Sequence, residues 1–460
     1  MRAQTATSPA FRPVATTSAP ASKALPAVRK NEPAAARRPV DSFESAPAKA
    51  RPALTLVPAA DPQAIRSKSA QGLLNPKDIP AADWTCFVHL NADNNLESFG
   101  KDDLNEMEAV GSLEGKLNMI ALVDGGTKKD GDGWNTGARL MYVTKDPSNS
   151  SKIVSRELAV DPKSDLGKLM AQGKGELDTG SPQVLRAALD YVQRNVESKH
   201  FMVDLWNHGN GWRGISYDDN PHASMDMGEL KQALSGLPKK VDILSADACL
   251  MATKEVADTA KAVGADFLVG SEELEPGTGW NYTDLLTRAS KLFEGGKQVN
   301  AEQLSKVIQE SYAAGPTDNV TMSVTNLSKL DALNQKLNVF SDALLKAGGL
   351  QNKALRAAYD QSLRFDDKSQ MDLGDFARRI AKSPQEATLK AAAEQLLKAL
   401  AETTVEKGAK GGDSRYGAAT GLSIYAPKGR VEREYQQAGS SWLGSRWNDV
   451  IATYDKARVA

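Results

Sequence analysis

A chain of 460 residues and 49.3 kDa with 41% hydrophobic and 25% charged residues has an average globular composition and the length for two or three domains. This excludes membrane, collagenous, wholly disordered and disulfide-stapled classes. Its 57 Lys and Arg against 58 Asp and Glu leave a net charge of −1, so no global field selects nucleic acid or an anionic bilayer as partner.

The charge is unevenly placed. Residues 1–83 hold 12 of the 21 prolines and 12 Lys and Arg against 6 Asp and Glu, a basic, Pro- and Ala-rich composition that cannot bury enough apolar area to offset chain entropy. This stretch is expected to be a disordered tail of net +6 on a body of net −7. A signal peptide needs roughly 7 to 15 unbroken apolar residues, and residues 1–22 are interrupted by Thr, Ser and Pro. With no run of about 18 apolar residues either, the expectation is a cytoplasmic or non-classically exported protein without membrane association.

From Trp84 the pattern becomes strand, helix, strand. Residues 84–91 and 117–124 read as strands flanking a helix that carries Leu96, Met107 and Val110 at helical spacing. Residues 139–143 and 152–158 read as an exposed hairpin entered through the Gly-rich turn at 130–133. Pro182 opens an amphipathic helix, with Val184, Leu185, Leu189, Tyr191 and Val192 as its apolar stripe. Two strands follow, at 200–206 and 241–246, joined through a helix at 225–235. The first ends in Asn207-His208-Gly209-Asn210-Gly211-Trp212 and the second in Asp247-Ala248-Cys249. A right-handed parallel unit puts both strand ends on one side of the sheet, in the crevice where open α/β sheets bind ligands.

His208 and Cys249 thus come together from 41 positions apart, and that pair permits nucleophilic chemistry: a thiolate attacks while an adjacent imidazole manages its proton. Gly209 gives the backbone room to approach a substrate and aim its N–H at an oxyanion. Cys86 lies inside an apolar strand and reads as packing. His89, His200 and His222 have no metal-ligand spacing with another His or Cys, so no zinc site is expected. Neither a dinucleotide fingerprint nor a P-loop occurs. Beyond Trp280, residues 285–313 read mainly as helix, 320–324 as a strand, 328–405 as a helical subdomain, 408–412 as a loop and 421–426 as a final strand. A terminal helix carries Trp442, Trp447 and Tyr454. The domain reading is a tail at 1–83, a core at 84–327 and a helical subdomain with a final strand and helix at 328–460.

Five stretches resemble the clostripain family of cysteine peptidases. They are Leu90-Asn91-Ala92-Asp93-Asn94-Asn95-Leu96-Glu97, the histidine segment 206–212, and Asp247-Ala248-Cys249-Leu250-Met251-Ala252. The others are Ser271-Glu272-Glu273 with Pro276-Gly277-Thr278-Gly279-Trp280, and Gly421-Leu422-Ser423-Ile424-Tyr425. The resemblance spans roughly 84–454. It implies an α/β fold, a caspase-like three-layer sandwich with a mostly parallel central sheet, and an endopeptidase cleaving after Arg or Lys. Carried over residue by residue, Cys249 is the nucleophile, His208 the general acid and base, and the N–H groups of Gly209 and Cys249 the oxyanion hole. A basic side chain entering a crevice must be paired with a carboxylate; Asp247 is the leading candidate, and Glu272 and Glu273 are the second ones. No third triad member is evident, and no cofactor is expected. Calcium dependence is known in the family, but Asp218, Asp219 and Asp226 lack EF-hand spacing, so no metal is assigned.

The partners implied are protein or peptide substrates with Arg or Lys at P1, with self-processing in trans or in the tail. Residues 214–227 contain no Lys or Arg, whereas Lys239-Lys240, residues 163–174, Arg37-Arg38 and Lys49 are possible sites. The alternative is a catalytically silent scaffold of the same fold.

Overall fold

The computed structural model describes residues 72–125, 134, 137–148, 150–174, 176–315, 320–410, 415–438, 442 and 444–456. The tail expected over 1–83 falls outside the described residues as far as residue 71, as do the turn at 130–133 and residues 411 and 412; residues 72–83 do not fit that expectation, since Leu74 and Ile79 are buried and a strand begins at Ala82.

The chain begins with β1 (Ala82–Ala92), α1 (Glu97–Val110), β2 (Leu117–Gly125), β3 (Arg139–Tyr142) and β4 (Arg156–Glu157). It continues through α2 (Asp165–Gly173), α3 (Pro182–Asn195), β5 (Ser198–Trp206), the hairpin β6 (Ile215–Asp218) and β7 (Ala223–Met225), and α4 (Met227–Leu234). Next come β8 (Ile243–Asp247), α5 (Lys254–Ala262), β9 (Phe267–Gly270), α6 (Tyr282–Phe293), α7 (Ala301–Ala314) and β10 (Val320–Asn326). The last part holds α8 (Leu330–Lys346), α9 (Lys353–Gln361), β11 (Gln370–Asp372), α10 (Leu373–Lys382), α11 (Ala387–Thr403), β12 (Thr404–Lys410), β13 (Ser423–Tyr425), α12 (Arg433–Ala438) and α13 (Arg446–Lys456).

Nine of these strands form one sheet in the order β12-β10-β9-β8-β5-β1-β2-β3-β4. The central run β9-β8-β5-β1-β2 is parallel and both flanks are antiparallel. Parallel strands need crossovers, and helices on both faces bury them. The period of two divides the core accordingly. Phe87, Val203, Leu205 and Leu244 face a cluster shared with α3, α4 and α5. Cys86, Val88, Met202 and Trp206 face one shared with α1, α6 and α7. The result is a three-layer α/β/α sandwich. Apolar residues of the expected helical subdomain, among them Leu337, Phe340, Phe376 and Leu396, join the first of these clusters.

Several local expectations need correction. The hairpin at 139–158 is not exposed: Leu140, Met141 and Tyr142 are buried, because β3 lies between β2 and β4 with apolar clusters on both faces. The stretch at 408–412 is not simply a loop, since β12 runs to Lys410 and pairs with β10. Its Thr-Val-Glu-Lys-Gly-Ala-Lys sequence has the polar, Lys-bearing character of an edge strand, which sequence patterning does not separate from a loop. The helix at 225–235 begins only at Met227, where Asp226 and Glu229 form a capping box. The residues before it make the β6–β7 hairpin. The helical stretch at 285–313 divides into α6 and α7 around Gly295 and Gly296, both with positive φ.

The final strand β13 pairs with β11 outside the main sheet and braces the residues after Cys249. Ser423 N–H donates to the Ala252 carbonyl at 3.0 Å, and Tyr425 N–H to Glu255 at 3.1 Å. Trp212, just past the histidine segment, packs edge-on to Tyr425 and Tyr435 with centroids 5.3 and 5.0 Å away. Arg213 lies over the Trp212 ring and pairs with Asp367 and Glu432. No described helix is long and apolar enough to cross a membrane. Trp212→Ala removes the centre of this aromatic cluster and is expected to lower unfolding free energy by about 3–5 kcal/mol, measured by urea denaturation with an unchanged m-value.

Candidate active site

Strands β5 and β8 are parallel neighbours with Trp206 opposite Asp247. His208 and Cys249 each follow their paired residue by two positions, so the imidazole and the thiol emerge at the same level and line one cleft. Leu96, Trp206, Asn207, Asp247, Ala248, Glu275, Pro276, Gly277 and Gly279 complete the lining, around about 320 Å³ of space that opens to solvent. The two strand-end loops touch backbone to backbone. A Cβ on Gly209 would stand 2.5 Å from the Cys249 carbonyl oxygen and 3.0 Å from the Ala248 side chain, so only glycine allows this approach.

Cys249 is 4% exposed. Its Sγ accepts from the Glu275 N–H at 3.2 Å and lies 3.7 Å from the Glu275 carbonyl oxygen. The next residue, Leu250, has φ of +64°, a left-handed conformation that costs a branched side chain roughly 1–2 kcal/mol. It is held there by its N–H bond to the Glu273 carbonyl at 3.1 Å and by packing with Leu274 and Phe365. The chain therefore turns sharply at the thiol and presents Cys249 at the strand end. His208 is 7% exposed, and its Nε2 lies 2.7 Å from Asn95 Oδ1.

One wall of the cleft is carboxylate. Asp247 accepts from Trp280 N–H at 3.1 Å and from the Tyr282 hydroxyl at 3.0 Å, and that hydroxyl also lies 2.8 Å from Asp204 Oδ2. Glu275 accepts from the Trp280 indole at 3.1 Å, and Asp103, on α1, from the Trp206 indole at 2.7 Å. Burial, and after it the neighbouring carboxylates, holds the Asp247, Glu275 and Asp103 acids above the usual carboxylate range. Burial also raises Asp204, against the bonds from Ser245 and Tyr282. Of these four crowded acids, Asp247 and Glu275 line the cleft, and the crowding is one reason that they resist ionisation.

The structure thus brings together His208, Gly209, Cys249 and Asp247, but not Glu272 or Glu273. Glu272 accepts from the Gly421 N–H at 3.0 Å beside Asp372. Glu273 binds the N–H groups of Leu274 and Asp366 at 2.9 and 3.0 Å. Neither lines the cleft; the carboxylate of that loop that does is Glu275, three residues beyond Glu272. Sequence reasoning passed over Glu275, although its position before Pro276-Gly277 in the same turn was a usable signal. Asp103 gave none, because a helix aspartate ordinarily faces solvent. Of the acids considered for calcium, Asp226 caps α4 and Asp218 accepts from Thr179. Among the described residues, no group of three or more His, Cys, Asp or Glu has metal-holding geometry.

Known proteins bear on this site. The model of the clostripain family matches residues 88–443, more than three quarters of the chain, and the chain belongs to that family. Clostripain of Hathewaya histolytica is 29% identical over 245 residues, which cover 48% of this chain and 44% of that protein. The chain thus spans less than half the length of that relative. Among solved structures, a secreted C11 cysteine protease from Bacteroides thetaiotaomicron bound to an irreversible peptide inhibitor is similar with a TM-score of 0.56 at 17% identity, over 80% of this chain and 99% of that one. An inactive zymogen C11 protease from Parabacteroides distasonis also gives 0.56 at 17% identity, over 80% and 98%. The fold is that of these proteases, the caspase-like sandwich.

The two thiols differ in setting. Cys86 is buried inside β1, where burial and then Asp204 push its thiol up, whereas Cys249 borders the cleft. Iodoacetamide on the native protein is expected to add one label, at Cys249, and a second at Cys86 only after denaturation, as read by intact mass and peptide mapping.

Proposed function

We propose that the chain is a cysteine endopeptidase hydrolysing peptide bonds after Arg or Lys, with Cys249 as nucleophile and His208 as general acid and base. One observation carries the reading: an imidazole and a thiol at matched offsets beyond adjacent parallel strands share a cleft with the buried carboxylates of Asp247 and Glu275. The thiol proton passes to His208, and Sγ adds to the scissile carbonyl carbon. The C–N bond then breaks as the imidazolium protonates the leaving amine. Water attacks the thioester, giving a proton to His208, and the acid departs as the thiol re-forms. The N–H groups of Gly209 and Cys249 receive the oxyanion, each donor worth on the order of 3 kcal/mol in the transition state.

The P1 side chain enters beside Asp247 and Glu275. Its positive charge supplies what the crowded acids lack, so binding draws them toward ionisation and releases protons. The sign follows: acids held up in the free enzyme must lose protons to pair with the cation. KM for Arg peptides therefore falls as pH rises through the neutral range, and Asp247→Asn flattens the profile. Self-processing belongs to the same reading, and intact mass before and after incubation reports it.

The direct test is hydrolysis of fluorogenic peptides differing only at P1, among Arg, Lys, Asp, Asn and Ala. Arg and Lys peptides are expected to be cut, Cys249→Ala to be inert, and Asp247→Asn to lose on the order of 100-fold in kcat/KM. No cleavage by full-length or tail-trimmed protein, with and without calcium, would instead favour a binding scaffold. Gly279→Ala gives an independent check. Its Cβ would sit 2.8 Å from Asp247 Oδ2, and φ there is +52°, so KM for basic peptides should rise while Cys249 still alkylates.

A further inference from the structure

The Asp93-Asn94-Asn95 turn after β1 carries no assigned role, yet it is built with care. Asn94 Oδ1 accepts from Leu96 N–H at 2.8 Å, and Asn94 Nδ2 donates to the Tyr217 carbonyl at 2.7 Å. The Asp93 carbonyl accepts from Asp219 N–H at 2.8 Å. These bonds fix the turn to itself and to β6, the strand that follows the histidine segment. What the braced turn presents at the cleft rim is the exposed side chain of Asn95, with Oδ1 2.7 Å from His208 Nε2.

We propose that Asn95 is the positioning residue for His208, its carboxamide oxygen holding Nε2–H so that Nδ1 is the nitrogen that exchanges protons with the thiol and the leaving amine. This rests on reading His208 and Cys249 as the catalytic pair. A neutral imidazole has one N–H, and a carboxamide oxygen can only accept, so a hydrogen bond across the 2.7 Å contact with Asn95 Oδ1 requires the ring proton on Nε2, the tautomer the proposal assigns. Nδ1 then has the lone pair needed to take the thiol proton. When the ring becomes imidazolium, the same contact becomes a charge-assisted bond and strengthens as positive charge develops.

The choice of an amide over a carboxylate has a consequence. A carboxylate would hold the same tautomer but stabilise the imidazolium further, making it a weaker acid toward the leaving amine. Asn95 orients the ring without adding charge to a cleft whose titratable groups besides His208 are already Cys249, Asp247 and Glu275. The side chain reaches the ring from the strand-end turn of β1, the parallel neighbour of β5, so three adjacent strand ends contribute to the site.

The test uses the full-length chain with ¹⁵N-labelled histidine. The sequence has only four histidines, and the His208 ring is assigned from a His208→Gln variant. The proposal expects neutral His208 as the Nε2–H tautomer in the wild type and a mixture of tautomers in Asn95→Ala. It expects Asn95→Ala to lose kcat on the order of 10-fold or more, with KM for an Arg peptide little changed. Asn95→Asp should restore most of that kcat and raise both the His208 titration and the acidic limb of the kcat/KM profile by about one unit or more. Matching urea midpoints for the variants would separate these effects from unfolding. An Nδ1–H tautomer in the wild type, or an Asn95→Ala variant with wild-type kcat and pH profile, overturns the proposal. Hydrolysis that survives His208→Gln overturns the catalytic pair itself, a failure distinct from that of the Asn95–His208 contact, which the ring spectra report separately.

Discussion

The parallel pairing of β5 with β8, with Trp206 opposite Asp247, is the constraint on which the site depends. Matched offsets carry His208 and Cys249 to the same height, and a slip of one residue would turn Asp247 out of the cleft and reverse every apolar side chain of the strand. The register is protected by two-sided burial, since Val203 and Leu205 belong to one apolar layer and Met202 and Trp206 to the other.

Holding charged chemistry at that strand end requires compensation, and the neighbouring elements supply it. Asp204 and Asp247 share the Tyr282 hydroxyl, and Trp280 gives its backbone N–H to Asp247 and its indole to Glu275. The segment from Glu272 to Trp280 thus has two tasks: it covers the thiol through the Glu275 backbone and donates to the acids beside it. Leu250 in the left-handed region marks where the chain bends to allow this. The strain is balanced by bonds to the same segment and, through Ser423 and Ala252, by a strand from near the end of the chain.

This last contact explains why the family resemblance extends so far past the thiol. The stretch 421–425 adds no group to the cleft. It forms a small separate sheet with β11, locks the residues after Cys249, and offers Tyr425 to Trp212, which follows the histidine segment. The C-terminal third therefore connects both strand-end loops through one aromatic cluster.

The strands of the central parallel unit and the meeting of His208 with Cys249 were legible from the chain alone, because two-sided burial writes long apolar runs and polar turns mark where they stop. The sequence likewise determined that Asp247 stands at the strand end, since it closes the apolar run two residues before Cys249. Tertiary structure alone decided what surrounds that pair. It turned Glu272 and Glu273 away and Glu275 in, because a loop's direction depends on what it packs against. It brought Asp103 from a helix and Asn95 from a turn more than a hundred residues upstream, contacts that no local pattern encodes. It also made an edge strand of a polar stretch at 404–410, since hydrogen bonding to β10, rather than side-chain periodicity, defines that element.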